Sequence, residues 1–408
     1  MAEFYDDLET RSDDQRAHDM ARDLPRQIAH AQKNSTGFSA LLAGVDASKI
    51  TQVADLANLP VLRKSDLSAA QKTNTPLGGF SALARKDIRQ VFQSPGPIYE
   101  MGQKSHDWWR FGRFLHALGV GANDVVQNTF SYHFTPAGMM FENAAEAVGA
   151  TVFPAGPGQT ELQARAAADL GVTCYAGTPD YLNTILQKGD ALGLDLSKIR
   201  TAAVSGGPLF PQIRQGYIDR GIRCLQCYAT ADLGNIAYES DAMEGMIIDE
   251  GVIVEIVTPG TGNPVAIGEV GEVVVTTLNP DYPLIRFATG DLSAMMPGIS
   301  PCGRTNQRIK GWMGRADQTA KIKGMFVRPE QVAAFVARHP GVAKARIIAS
   351  RVGEADEMTV QVETNADNVV EMENSVREIL KLRGKVVLNP LGTLPNDGIV
   401  IDDQRSYD

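Results

Sequence analysis

The residues with the clearest chemical content lie in Phe287-Ala-Thr-Gly-Asp-Leu292 and in Gly314-Arg315-Ala-Asp317. Asp291 follows Thr289-Gly290 and precedes an apolar residue, a pattern that presents a carboxylate at a strand end to accept hydrogen bonds from vicinal hydroxyls. Arg315 sits beside Gly314, where a tight turn can bring its guanidinium fork onto the same ligand. An Asp and an Arg converging in this way suit a ribose. Either pattern alone fits an ordinary turn or salt-bridge residue equally well, and only the ordered set is specific.

Residues that converge from distant parts of a chain need a large scaffold. The 408 residues are 43% hydrophobic, enough for a sizeable core and more than one domain. Residues 6–43 carry a helical pattern, with Leu8, Ala17, Met20, Leu24, Ile28 and Ala31 recurring amid charges. Lys64-Ser65-Asp66 has the look of a helix N-cap. From Asp124 to Val204 strands alternate with helices: 124–128, 150–154 and 199–204 read as strands, 139–148 as a helix. Short alternating strands follow from Met246 to Thr277. Residues 318–408 read as β, α, β, β, α, β.

The formal net charge of -9 argues against a dominant nucleic-acid or anionic-membrane surface, so small molecules are the expected partners. No long uncharged apolar run is present, and Met-Ala-Glu-Phe-Tyr-Asp-Asp is acidic where a secretory peptide is basic and then apolar. A cytoplasmic protein is expected. Four cysteines are too few for a disulfide framework at this length. Cys224-Leu-Gln-Cys227 invites a redox or metal reading, but no second close Cys or His pair accompanies it, and buried structural cysteines where a strand enters a turn are the better reading.

The set Thr-Gly-Asp-Leu, then Gly-Arg-x-Asp-x-x-x-Lys-x-x-Gly-x-x-Val, then Pro329-Glu330-Gln331-Val332 resembles the adenylate-forming superfamily, above all its phenylacetate-CoA ligase branch. The resemblance covers nearly the whole chain. It implies an α/β fold: a large N-terminal region of mixed βα-layered sheets with a distorted β-barrel subdomain at 1–316, then a small α+β lid domain at 317–408, hinged near Asp317. It also implies ATP or AMP, Mg2+ and CoA as cofactors, a small carboxylate as substrate, and a homodimer. Asp291 and Arg315 would bind the ribose. Ser205, Gly206, Gly207 and Pro208 would form the adenine turn, with Gly207 where the branch has Glu. Tyr228 and Ala229 would flank adenine, Thr230 would stand in for the hydroxyl that Ala231 lacks, and Asp232 would be the metal carboxylate and, with Thr230, the catalytic pair. Tyr132, His133, Phe134, Ala137, Gly138 and Phe141 would line the acyl pocket.

Two departures bear on function. The phosphate loop of the resemblance is shortened to Val91-Phe-Gln-Ser-Pro-Gly-Pro-Ile-Tyr-Glu-Met-Gly102, where only Ser94 and Gly96 remain, two prolines remove backbone donors and Glu100 adds a negative charge. A rigid turn is the alternative reading of that segment. At the C-terminus, Ile399 or Val400 stands where the resemblance implies an adenylation lysine. Losing such a donor costs roughly 10² to 10³ in rate. Three activities therefore stand open: an acyl- or aryl-CoA ligase, a diverged non-adenylating relative that binds an acyl, AMP or CoA ligand, and a catalytically silent binding protein.

Overall fold

The computed structural model describes residues 3–94, 97–207, 209, 211–313, 316, 320–323, 325–327, 329–352, 355–395 and 399–405. The chain forms two compact units, Met1–Met313 and Gly314–Asp408. The first opens with α1 (Asp13–Asn34) and α2 (Thr36–Leu41), and a two-residue strand, β1 (Leu62–Arg63), leads directly into α3 (Lys64–Thr73). The cap of α3 is Arg63, one residue earlier than the Lys64-Ser65-Asp66 reading: Asp66, three residues in, accepts the Arg63 backbone N–H at 3.2 Å.

The hairpin β2 (Gln90–Ser94) and β3 (Ile98–Gly102) stands as a separate two-stranded sheet. Then α4 (Gly112–Ala117) precedes the alternating stretch β4 (Val125–Asn128), α5 (Ala137–Ala147), β5 (Thr151–Pro154), α6 (Thr160–Leu170), β6 (Cys174–Gly177), α7 (Pro179–Leu192), β7 (Thr201–Val204), α8 (Pro211–Asp219) and β8 (Arg223–Thr230). Its strands are parallel in the order β5-β4-β6-β7-β8 and nearly all apolar in the middle, as expected of strands covered by helices on both faces.

At β8 the sheet turns antiparallel. It continues through β9 (Gly234–Tyr238) and β10 (Met246–Ile248) to β14 (Arg308–Ile309), β13 (Phe287–Met296), β12 (Val270–Thr277) and β11 (Val252–Val257). This antiparallel stretch is the region expected as a distorted barrel. The second unit holds the hairpin β15 (Ala320–Ile322) and β16 (Met325–Val327), α9 (Pro329–Arg338), and α10 (Val369–Leu380). Its main sheet is β19-β18-β17-β20, built from β17 (Val342–Val352), β18 (Ala355–Thr364), β19 (Lys385–Asn389) and β20 (Ile401–Asp403). Among the described residues no helix is long and apolar enough to cross a membrane.

One buried ion pair sets the relation between the N-terminal segment and β13. Arg286, 1% exposed, donates from Nε and Nη2 to the two oxygens of Glu255 on β11, at 3.0 and 2.9 Å. Its remaining donors reach the carbonyls of Leu59 at 2.6 Å and Gly262 at 2.7 Å. The Arg286 carbonyl accepts the Leu62 N–H, which starts a parallel register of Leu62 on Phe287 and Arg63 on Ala288. A buried charge pair persists only when its remaining donors are also satisfied, and here they are.

Arg286→Met strands the Glu255 carboxylate in the core and should cost about 3–5 kcal/mol in urea unfolding. Arg286→Met combined with Glu255→Leu should recover most of that loss. A single variant within about 1 kcal/mol of wild type would contradict the role given to this pair.

Candidate functional site

The carboxyl ends of parallel strands are where open α/β sheets hold ligands. The loops after β4, β7 and β8 carry Tyr132, Ser205 and Asp232 respectively, so the predicted residues gather at one edge of the sheet.

Asp291 is drawn to that edge by β13. Its Oδ2 accepts the Tyr228 hydroxyl at 2.9 Å, and its Oδ1 accepts the Trp312 indole N–H at 3.2 Å. The Tyr228 hydroxyl also lies 3.0 Å from Thr289 Oγ1, which donates to the Val273 carbonyl and accepts the Asp291 N–H at 3.2 Å. A bulge in the β8–β9 register between Tyr228 and Ala229 re-aims Tyr228 toward β13. Motifs separated by some sixty residues thus form one hydrogen-bonded cluster. Sequence reading singled out both Tyr228 and Asp291, but not their direct bond.

The remaining nucleotide-side residues are placed less tightly. Ser205 donates to the Cys227 carbonyl at 3.1 Å, and Gly206 turns with φ +73°. At Gly207 the nearest atom to an added Cβ is Pro179 Cδ at 3.5 Å, so the turn is open to a flat ring. Thr230 Oγ1 accepts the Leu233 N–H at 3.2 Å and so caps the turn after β8. Gly96, Pro208, Arg315 and Asp317 lie outside the described residues.

Ser94 does not face an open cradle. The β2–β3 hairpin is paired from Gln90 on Gly102 to Ser94 on Ile98, and Ser94 donates its hydroxyl to Glu100 within it. Glu100 is fully buried, and its Oε2 has no hydrogen-bond partner among the described residues. Burial, reinforced by the charge of Asp232, pushes its carboxyl up to about 8. Lys64 and the Ser94 hydroxyl act in the opposite direction. The buried Tyr282 hydroxyl is also without a hydrogen-bond partner among the described residues, and burial together with Asp232 and Glu100 raises its ionisation well above the ordinary value.

Asp232 is buried, and its Oδ2 lies 3.0 Å from the Lys64 ammonium, an ion pair that lacks hydrogen-bond alignment. The donor chemistry does not fit a hard divalent ion there. Such an ion would need carboxylate oxygens at about 2.1 Å, and a doubly charged ion about 4 Å from an ammonium is repelled by on the order of 8 kcal/mol at an effective dielectric of about 20. Among the described residues no group of three or more His, Cys, Asp or Glu could hold a metal.

The predicted acyl-pocket residues fall into two environments. Tyr132 and Ala137 are half-buried, with the Tyr132 hydroxyl accepting from Asn128 at 2.8 Å, while His133 is exposed and Phe134 is 71% exposed. Gly138 and Phe141 are packing positions: a Cβ at Gly138 would meet the Ser131 carbonyl at 2.6 Å, and Phe141 stacks on Phe130 with centroids 4.7 Å apart in the core. The Cys224–Cys227 pair lies within β8, before the turn rather than at it, and the two thiols belong to different core clusters. Burial pushes both up to about 12. Lys64, Glu100, Tyr282 and Trp312 escaped sequence reading as site residues; the charge of Glu100 inside a shortened loop was the one available signal.

Residues 105–279 match the model of the family described as AMP-binding enzyme. The chain is 28% identical over 360 residues to a phenylacetate-coenzyme A ligase of Thermus thermophilus, covering 84% of this chain and 80% of that protein. It is 28% identical over 381 residues to one of Escherichia coli, covering 88% and 84%. In fold it is similar to 2-hydroxyisobutyryl-CoA ligase in complex with 2-HIB-AMP and CoA, with a TM-score of 0.73 at 21% identity over 98% of this chain and 92% of that one.

Glu100 yields a pH prediction. Because its folded pKa of about 8 exceeds the ordinary 4.5, the stability it contributes is full below 4.5 and is lost as pH rises toward 8. Glu100→Gln removes that dependence, so the variant should gain on wild type in melting temperature between about pH 5 and about pH 9. A difference that stays constant across this range would contradict the assignment.

Proposed function

This is a phenylacetate-CoA ligase-like chain of the adenylate-forming superfamily, and on that premise we propose that it transfers the acyl or aryl group of an adenylate to CoA, with the ATP-consuming half-reaction weakened. The observation that carries this reading is the Tyr228–Thr289–Asp291 cluster beside a hairpin filled by Glu100. That cluster supports a nucleoside side, and the pairing of the segment that the resemblance compares with a triphosphate cradle supports a weakened phosphate side.

In this reading Asp291 accepts the ribose hydroxyls, helped by Arg315, and is held in place by Tyr228 and Trp312. The Tyr228 ring and the open Ser205–Gly207 turn, with Pro208 and Ala229, receive adenine. Tyr132, His133, Phe134 and Ala137 border the acyl group, with Gly138 and Phe141 as its packed floor. The thiol of CoA gives up its proton to solvent, and its sulfur forms the new C–S bond at the acyl carbon. The bond from that carbon to the phosphate oxygen breaks, and AMP leaves with the electron pair. The ligands are thus ATP or AMP, CoA and a small carboxylate, and the proposal includes a cytoplasmic location, a homodimer and a hinge near Asp317. Glu100 also supports a second reading, a relative that binds AMP or acyl-adenylate without forming it, since its buried carboxyl takes the Ser94 hydroxyl that the resemblance gives to phosphate.

With a synthetic aryl- or acyl-adenylate and CoA, thioester should form about 10² to 10³ times faster than pyrophosphate is released from ATP and the free acid. Equal rates would contradict the weakened first half. No thioester from any adenylate leaves only the binding role. Asp291→Ala should weaken AMP binding at least about tenfold in calorimetry, the loss of a charged hydrogen-bond acceptor. An unchanged affinity would contradict the ribose assignment.

A further inference from the structure

The Lys64 ammonium lies against Asp232, where the resemblance implies a metal ion. We propose that Lys64 takes the place of a divalent cation beside Asp232, so that this site accepts a nucleoside monophosphate without a metal. The inference rests on the nucleotide reading above and extends it to the charge balance of the site.

Three observations carry it. The Asp232 side chain is 1% exposed and that of Lys64 32%, so the carboxylate anchors an ammonium standing on its open side. Neither Asp232 oxygen has a hydrogen-bond donor among the described residues. A buried carboxylate without donors demands a neighbouring positive charge. Among the described residues that charge is Lys64, 3.0 Å from Asp232 Oδ2.

Lys64 is also held from a second side. Its Nζ lies 5.9 Å from the centroid of the Phe287 ring, on the strand that carries Thr289 and Asp291. Lys64 is the first residue after β1, whose register on β13 is fixed at Leu62–Phe287 and Arg63–Ala288. The amine is therefore placed by backbone pairing, and a tethered cation is present whether or not metal is supplied.

The test has two arms on the full chain. In calorimetry, AMP affinity should change by less than about twofold between excess chelator and excess Mg2+. A requirement for Mg2+ would overturn the proposal while leaving the nucleotide reading intact; no AMP binding in either condition would remove that reading itself. The second arm needs no nucleotide. Electron paramagnetic resonance of added Mn2+ should show no site in wild type or in the charge-preserving Lys64→Arg. In the calorimetry arm, folded Lys64→Met should bind AMP at least about tenfold more weakly than Lys64→Arg. A Mn2+ site in wild type, or equal AMP affinity in folded Lys64→Met and Lys64→Arg, would overturn the proposal.

Discussion

The buried pair of Arg286 and Glu255 is the constraint on which the site depends. An arginine with 1% exposure is tolerable only because its donors reach a carboxylate and loop carbonyls at once. Those acceptors come from the N-terminal segment, from β11 and from the loop at Gly262. The pair therefore ties three separate stretches to the residue that precedes β13. Two functional placements follow: Thr289 and Asp291 a few residues along β13, and Lys64 at the end of the two-residue strand that pairs with it.

The site that results is uneven. On the side proposed to hold the nucleoside, Tyr228, Thr289, Trp312 and Asp291 form a connected set of hydrogen bonds. On the phosphate side, the hairpin satisfies its own backbone and buries a carboxyl. In the proposed function, the Ser94 hydroxyl committed to Glu100 is a donor that the phosphate side lacks, and differential binding of this kind would weaken one half-reaction without abolishing the other.

Much of this was legible in the sequence, and the reasons for the rest are physical. Asp291 was readable because Thr-Gly-Asp before an apolar residue is a local pattern, and the parallel strands from β4 to β8 were readable because buried strands and amphipathic helices have different periods. Lys64 read only as part of a helix start, because its partner Asp232 is far along the chain and no local pattern announces a contact of that kind. The same holds for Tyr282, whose hydroxyl meets its electrostatic neighbours only after the sheet is assembled. Phe141 had the apolar character of a pocket wall, and it is burial against Phe130 that makes it core.

The central claim is that the nucleoside side of the site is intact while the triphosphate side is not. The most direct measurement is the affinity of the same protein for AMP and for ATP, compared by calorimetry in one buffer. This account predicts that AMP binds at least as tightly as ATP, because the Ser94 hydroxyl is committed to Glu100 within the paired hairpin. ATP binding more than about tenfold tighter than AMP would contradict it, since that gain of about 1.4 kcal/mol requires a working triphosphate cradle.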